Sequence, residues 1–190
     1  MHRIITAVLL IAMITVPVGA QEPDAPVRQG FGISFGLGNG SASLSCSGCS
    51  SDRDNGLSGY LRLGGYASPT LFVGGETNGW VKSEAGVDQT VGFLNAVTQW
   101  YPNVRKGLYL KGGLGFAHAT ASDGMDRIST SGIALTTGLG YDWRLTRRFS
   151  LTPYTNYVRS FGAEAKLNGI GTDVTLNVDV FQLGLGFSWH

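Results

Sequence analysis

A chain of 190 residues with a formal net charge of +1 has no basic excess to drive phosphate binding, which argues against nucleic-acid recognition. Hydrophobic residues make up 43% of it, yet mean hydropathy is only +0.07. Past the N-terminus no apolar run approaches the roughly 20 residues of a spanning helix, so a bundle of membrane helices is excluded. The 29 glycines, about twice the usual share, fall inside alternating runs and not in low-complexity blocks.

Residues 1–20 read as a secretory signal: a basic start at Met1-His2-Arg3, an apolar run from Ile4 to Val16, and a small-residue site at Val18-Gly19-Ala20, with cleavage expected after Ala20. A Pro-containing leader, 21–29, precedes one domain, 30–190. In the first expected strand, Gly30 to about Gly40, Phe31, Ile33, Phe35 and Leu37 alternate with Gly32, Ser34, Gly36 and Gly38. Such a period of two is a strand signal. Ser41 to Gly56, rich in Ser, Asp, Asn and Gly, reads as a long loop. The second strand is Leu57 to Ala67, Ser68-Pro69 turns, and the third runs from Leu71 to about Lys82.

Lys82 to Gln89 reads as polar loop and Thr90 to Tyr101 as the fourth strand. Val91 and Phe93 fall on one face there and Leu94, Ala96, Thr98 and Trp100 on the other, which predicts a bulge near Phe93. After the turn Pro102 to Gly107, the fifth strand is Leu108 to about Ala121, and Ser122 to Thr130 is loop. The sixth alternates most clearly: Ile133, Leu135, Thr137, Leu139, Tyr141 and Trp143 against Gly132, Ala134, Thr136, Gly138, Gly140, Asp142 and Arg144. Thr146-Arg147-Arg148 turns into the seventh, Phe149 to about Phe161. Gly162 to Thr172 is loop, and the eighth strand, Asp173 to His190, is expected to shift phase between Val180 and Phe181.

The bulky faces suit lipid and the thin polar faces a narrow lumen, so the fold predicted is all-β: an eight-stranded antiparallel up-and-down transmembrane β-barrel. Connections alternate long and short, which places both chain ends on the periplasmic side with four mobile loops outside. The segments Arg62 to Glu76, Tyr101 to Gly115 and Thr137 to Arg148, with a Gly-x-Gly-aromatic ending, resemble the small eight-stranded outer-membrane barrels of the OmpX/OmpA-barrel type, over about residues 30–189. That resemblance implies the cell outer membrane, surrounded by lipid and lipopolysaccharide, and insertion by the barrel-assembly machinery. Such chains commonly end on an aromatic residue; here His190 follows Trp189. The role implied is structural or surface-interacting and non-enzymatic, through external loops whose ligand stays unidentified. The alternatives are a lipid-A-modifying deacylase and an exported lipocalin-like carrier, which would line an apolar cavity and face polar residues outward.

Four charges fall on inner faces: Arg62, Glu76, Lys111 and Asp142. Reflection about Ser68-Pro69 brings Arg62 to Glu76, and reflection about Asp126 brings Lys111 to Asp142, each within about one residue of register. An interior charge network of two cross-strand pairs that plugs the lumen is therefore expected, with a proton or ion path as the rival reading. Cys46 and Cys49 supply two thiolates where tetrahedral zinc needs four ligands, so in an exported chain a local disulfide is expected and no metal or cofactor. Gly32 to Gly36 matches a nucleophile-elbow pattern but lies inside a strand with no helix behind it. His118 falls on the lipid-facing phase near the outer end of strand five, without the His-x-Ser arrangement of lipid-A deacylases. Trp80, Trp100, Tyr101, Tyr141, Trp143 and Trp189 fall near strand ends and are expected to form aromatic girdles, with Trp100, Trp143 and Trp189 at the periplasmic rim.

Overall fold

Large apolar residues at every second position can all be sheltered on one side of a sheet, and a sheet closed on itself leaves no open edge. The chain takes this solution in a computed structural model that describes residues 28–46, 53–123 and 125–190. Eight long strands, β1 (Gly30–Cys46), β2 (Arg53–Ser68), β3 (Leu71–Glu84), β4 (Val87–Trp100), β5 (Leu108–Ser122), β6 (Arg127–Tyr141), β7 (Phe149–Leu167) and β8 (Ile170–Trp189), each pair antiparallel with the next. A two-residue piece, Trp143–Arg144, extends the β6 edge against β7. Pairing of β1 with β8 closes the barrel.

Leu135, Leu139 and Leu185 are 47%, 48% and 55% exposed, so the greasy face points outward. The carrier arrangement, with leucines lining a central cavity, is therefore not the one adopted. Arg28 and His190, the first and last described residues, lie at the end that carries the Pro69-Thr70, Pro102–Gly107 and Leu145–Arg148 connections; it is called here the terminal end, and the opposite one the far end.

Three expectations are corrected. The far-end connections described are short: Ala85-Gly86 and Asn168-Gly169 are two-residue turns with both central residues at positive φ, 52° and 82° in one, 49° and 87° in the other. Such turns match the twist of their strands, so the strands run on through stretches that read as loop. No bulge interrupts β4, whose register against β3 and β5 is continuous. Nor does β8 change phase at Val180, since its register against β1 runs unbroken from Leu176 to Trp189. The apparent phase conflicts have one cause: near the far end the inward face is itself apolar, with Trp80, Val91, Phe93, Val158, Val178 and Val180 buried together.

At the β1–β8 seam, small inward residues let the walls approach. A Cβ built on Gly36 would lie 2.5 Å from Tyr60 and 2.7 Å from Tyr154, whose rings meet edge to face across the lumen at 4.7 Å.

Candidate functional site

Arg62 and Glu76 stand directly opposite each other on β2 and β3. Arg62 Nε donates to Glu76 Oε2 at 2.6 Å, and Nη2 lies 2.5 Å from the same oxygen. The other carboxylate oxygen takes Lys111 Nζ at 2.5 Å and Asn78 Nδ2 at 2.7 Å. All three charges are buried, Glu76 to 1% exposure, and the guanidinium lies 4.7 Å from the centre of the Tyr60 ring. One carboxylate between two cations leaves this level of the lumen with a net positive charge.

The expected Lys111–Asp142 pair is not formed. Lys111 stands opposite Gly138, so Asp142 lies four residues further along, about 13 Å at strand spacing. The backbone N–H of Asp142 instead donates to Gly107 O at 3.0 Å. The β5–β6 connection is centred nearer the chain start than Asp126, and that offset separates the pair. Lys111 reaches past β4 to Glu76, a partner two strands away.

Asp142 belongs to a second cluster at the terminal end. It accepts from Tyr101 Oη at 3.0 Å and Thr152 Oγ1 at 2.8 Å, and lies 3.8 Å from His190 Nε2. The Tyr66 hydroxyl and His190 Nδ1 are hydrogen-bonded. Arg28, within the expected leader, folds in beneath: its guanidinium sits 3.8 Å over the Tyr101 ring and donates to Val104 O and Lys106 O at 3.2 and 2.9 Å. Sequence reading passes over Arg28, Tyr66 and His190 in this role, though the even-numbered phase of β1, β2 and β8, extended to the strand ends, carries all three inward.

Of the expected girdle, Trp100 and Trp143 are exposed on the outer wall at the terminal end, with Tyr141 and Trp189 half-buried beside them. Trp80 and Tyr101 are corrected. Trp80, 1% exposed, points into the lumen and donates its indole N–H to Gly40 O at 2.9 Å, and Tyr101 is buried in the Asp142 cluster. Both lie near strand ends, but their position in the pleat puts them inside.

His118 of β5 and Ser131 of β6 are paired on the outer face, Nδ1 to Oγ at 2.8 Å. Cys46 ends β1, while Cys49, and with it the expected disulfide, lies outside the described residues. So does the expected signal segment. Among the described residues no three metal-ligating side chains are gathered, and no helix is long and apolar enough to cross a membrane.

A closed eight-stranded barrel with leucines outside and ions inside defines an outer-membrane β-barrel. The profile of the outer membrane protein beta-barrel domain matches residues 6–188, and the chain belongs to that family, whose place is the cell outer membrane. Two solved structures share the fold: neisserial surface protein A, NspA (19% identity, 84% of this chain and 96% of that one, TM-score 0.61), and Ail, the attachment invasion locus protein of Yersinia pestis (18%, 84% and 99%, TM-score 0.58). No curated protein matches the sequence.

Proposed function

We propose that this barrel acts without catalysis, as a structural and surface-contact protein whose far end faces the outside. The observation that carries this reading is a pre-ordered tip. Strands of 19 and 20 residues, β7 and β8, exceed the 9–11 or so needed to span, and so carry their hairpin beyond the bilayer. There Asn168 ties this hairpin to the β5–β6 tip: its backbone N–H donates to Arg127 O at 2.8 Å, its Oδ1 accepts from Arg127 N at 2.8 Å, and its Nδ2 donates to Asp126 Oδ1 at 2.9 Å. Met125 and Ile170 stand exposed on the joined tips. A surface ordered before contact loses less entropy on binding.

In this reading the buried Arg62–Glu76–Lys111 and Tyr60–Tyr154 levels close the lumen to ions, and residues 1–20 are removed after Ala20 on export. The barrel-assembly machinery inserts the chain among lipid and lipopolysaccharide. The test displays the barrel on a host lacking such proteins and counts cells retained on epithelial layers, the attachment named for Ail being the activity probed. Retention above the empty host, reduced several-fold by Met125→Ser/Ile170→Ser with heat-modifiable mobility intact, supports surface contact. Retention no better than the empty host overturns it, and steady conductance in planar bilayers overturns the closed lumen.

A second reading has one observation in its favour: the His118–Ser131 pair on the lipid-facing wall has the base-to-hydroxyl distance of an activated nucleophile. Among the described residues no carboxylate is hydrogen-bonded or ion-paired to the ring. Release of free fatty acid from lipopolysaccharide, lost in both His118→Ala and Ser131→Ala, would establish this lipid-A deacylase reading over the first.

A further inference from the structure

Above Trp80 the lumen widens into an apolar cavity of about 290 Å³ toward the far end. Trp80, Val91, Ala119, Val178 and Leu176 line it, and at its upper wall Leu44 and Ile128 are exposed. It has roughly twice the volume of a cavity of about 150 Å³ that stays dry and holds benzene. A ligand of up to about twelve carbons fits by that scaling.

Ser43, Asp54, Gln89, Thr120 and Thr130 bring polar groups to the lining, and two of them narrow its chemistry. Thr130 lines the cavity, is 5% exposed, and its hydroxyl is buried without a hydrogen-bond partner. A buried hydroxyl left unpaired is costly, and a hydrogen-bonding ligand would satisfy it. Asp54 is the one charged residue among those lining the cavity, and Lys82, which lies 2.5 Å from it, is shared with Glu84 at 2.5 Å. The cavity lining therefore presents a carboxylate and no cation to a bound anion, which disfavours anionic ligands.

From these observations we infer that the cavity is a binding site for a small neutral amphiphile: an apolar body seated against Trp80, with one hydroxyl-like group at Thr130. A fatty acid has the right body but the wrong charge for this lining. The inference goes beyond surface contact at the hairpin tips, since it concerns a site inside the barrel and is measured on the purified protein whatever the tips bind.

The experiment uses the full chain folded into lipid nanodiscs, because detergents are themselves amphiphiles. With Trp100, Trp143 and Trp189 replaced by Phe, Trp80 is the sole indole, and bromodecanol is titrated as a quencher. Saturable quenching is expected, with affinity weakened about five- to tenfold by Thr130→Val and abolished by Ala119→Phe, which fills the cavity. Bromodecanoate at pH 8 is expected to bind at least tenfold more weakly than the alcohol. Quenching that rises without saturation, or that Thr130→Val leaves unchanged, overturns the site. Equal binding of alcohol and carboxylate overturns its neutral character. Should Ala119→Phe lose heat-modifiable mobility, the Thr130→Val titration decides.

Discussion

Arg62 and Glu76 face each other across one strand pair, and the carboxylate that receives the guanidinium also holds Lys111 from two strands away. Removing the shared anion leaves two buried cations facing each other. Glu76→Gln is therefore expected to cost about 3–5 kcal/mol in urea titrations of the folded barrel, the range for breaking a buried pair. Glu76→Gln/Arg62→Met recovers only part, because Lys111 stays unpaired. Glu76→Leu/Arg62→Leu/Lys111→Met recovers most, since apolar groups of similar volume often replace buried ions at little cost. Equal losses in the single and triple variants would show that the charges are not coupled.

Arg28 closes the terminal end by a different route. Its fork bridges two carbonyls of the β4–β5 connection while its face lies on Tyr101. Arg28→Ala should lower stability by about 1.5–3 kcal/mol, the scale of hydrogen bonds to a charged group. Arg28→Lys should fall between the two, because an ammonium keeps the charge but lacks the planar fork. A lysine variant as weak as the alanine one would mean that bidentate geometry, not charge, is what residue 28 contributes.

The pleat assigns Trp80 to the lumen and Trp100 and Trp143 to the outer wall, and quenching by lipid tests the assignment directly. In bilayers of brominated lipid, a variant whose sole indole is Trp100 or Trp143 should lose most of its emission, and one retaining only Trp80 should lose little. Trp80 is 1% exposed against 52% and 56% for the others. Strong quenching of Trp80 would turn the inner and outer faces around.

Much of this fold is legible because a membrane barrel writes its two environments into alternate residues, as from Phe31 to Leu37. The signal fades where both faces meet water, so Asn168-Gly169, a strong hairpin dipeptide, sits unremarked inside a stretch that reads as loop. Val91, Phe93 and Val180 mislead for the opposite reason: they are apolar and inside, where a uniformly polar lumen is expected. The site follows the same logic. Across the short Ser68-Pro69 turn, reflection finds Arg62 and Glu76 with little room for error. Across the longer β5–β6 connection a small offset in the centre moves Asp142 away from Lys111, and the contact of Lys111 with Glu76 skips a strand, which linear spacing does not report.

His190 makes the terminal end sensitive to pH. Burial holds its imidazole below the ordinary value of 6.5; Asp142 draws it back up, and Arg28 and Arg144 push it further down. The folded chain therefore binds this proton less readily than the unfolded chain does. Its stabilising contribution is complete above pH 6.5 and declines as pH falls through 6.5 toward the folded value. Urea midpoints measured from pH 8 down to pH 5 should drop on the acid side, and His190→Phe, which keeps a ring against Tyr66, should flatten that drop. Asp142→Asn should steepen it, because the folded imidazolium then loses the anion that offsets the two arginines. An acid-side slope identical in His190→Phe and the parent would place the proton uptake elsewhere in the barrel.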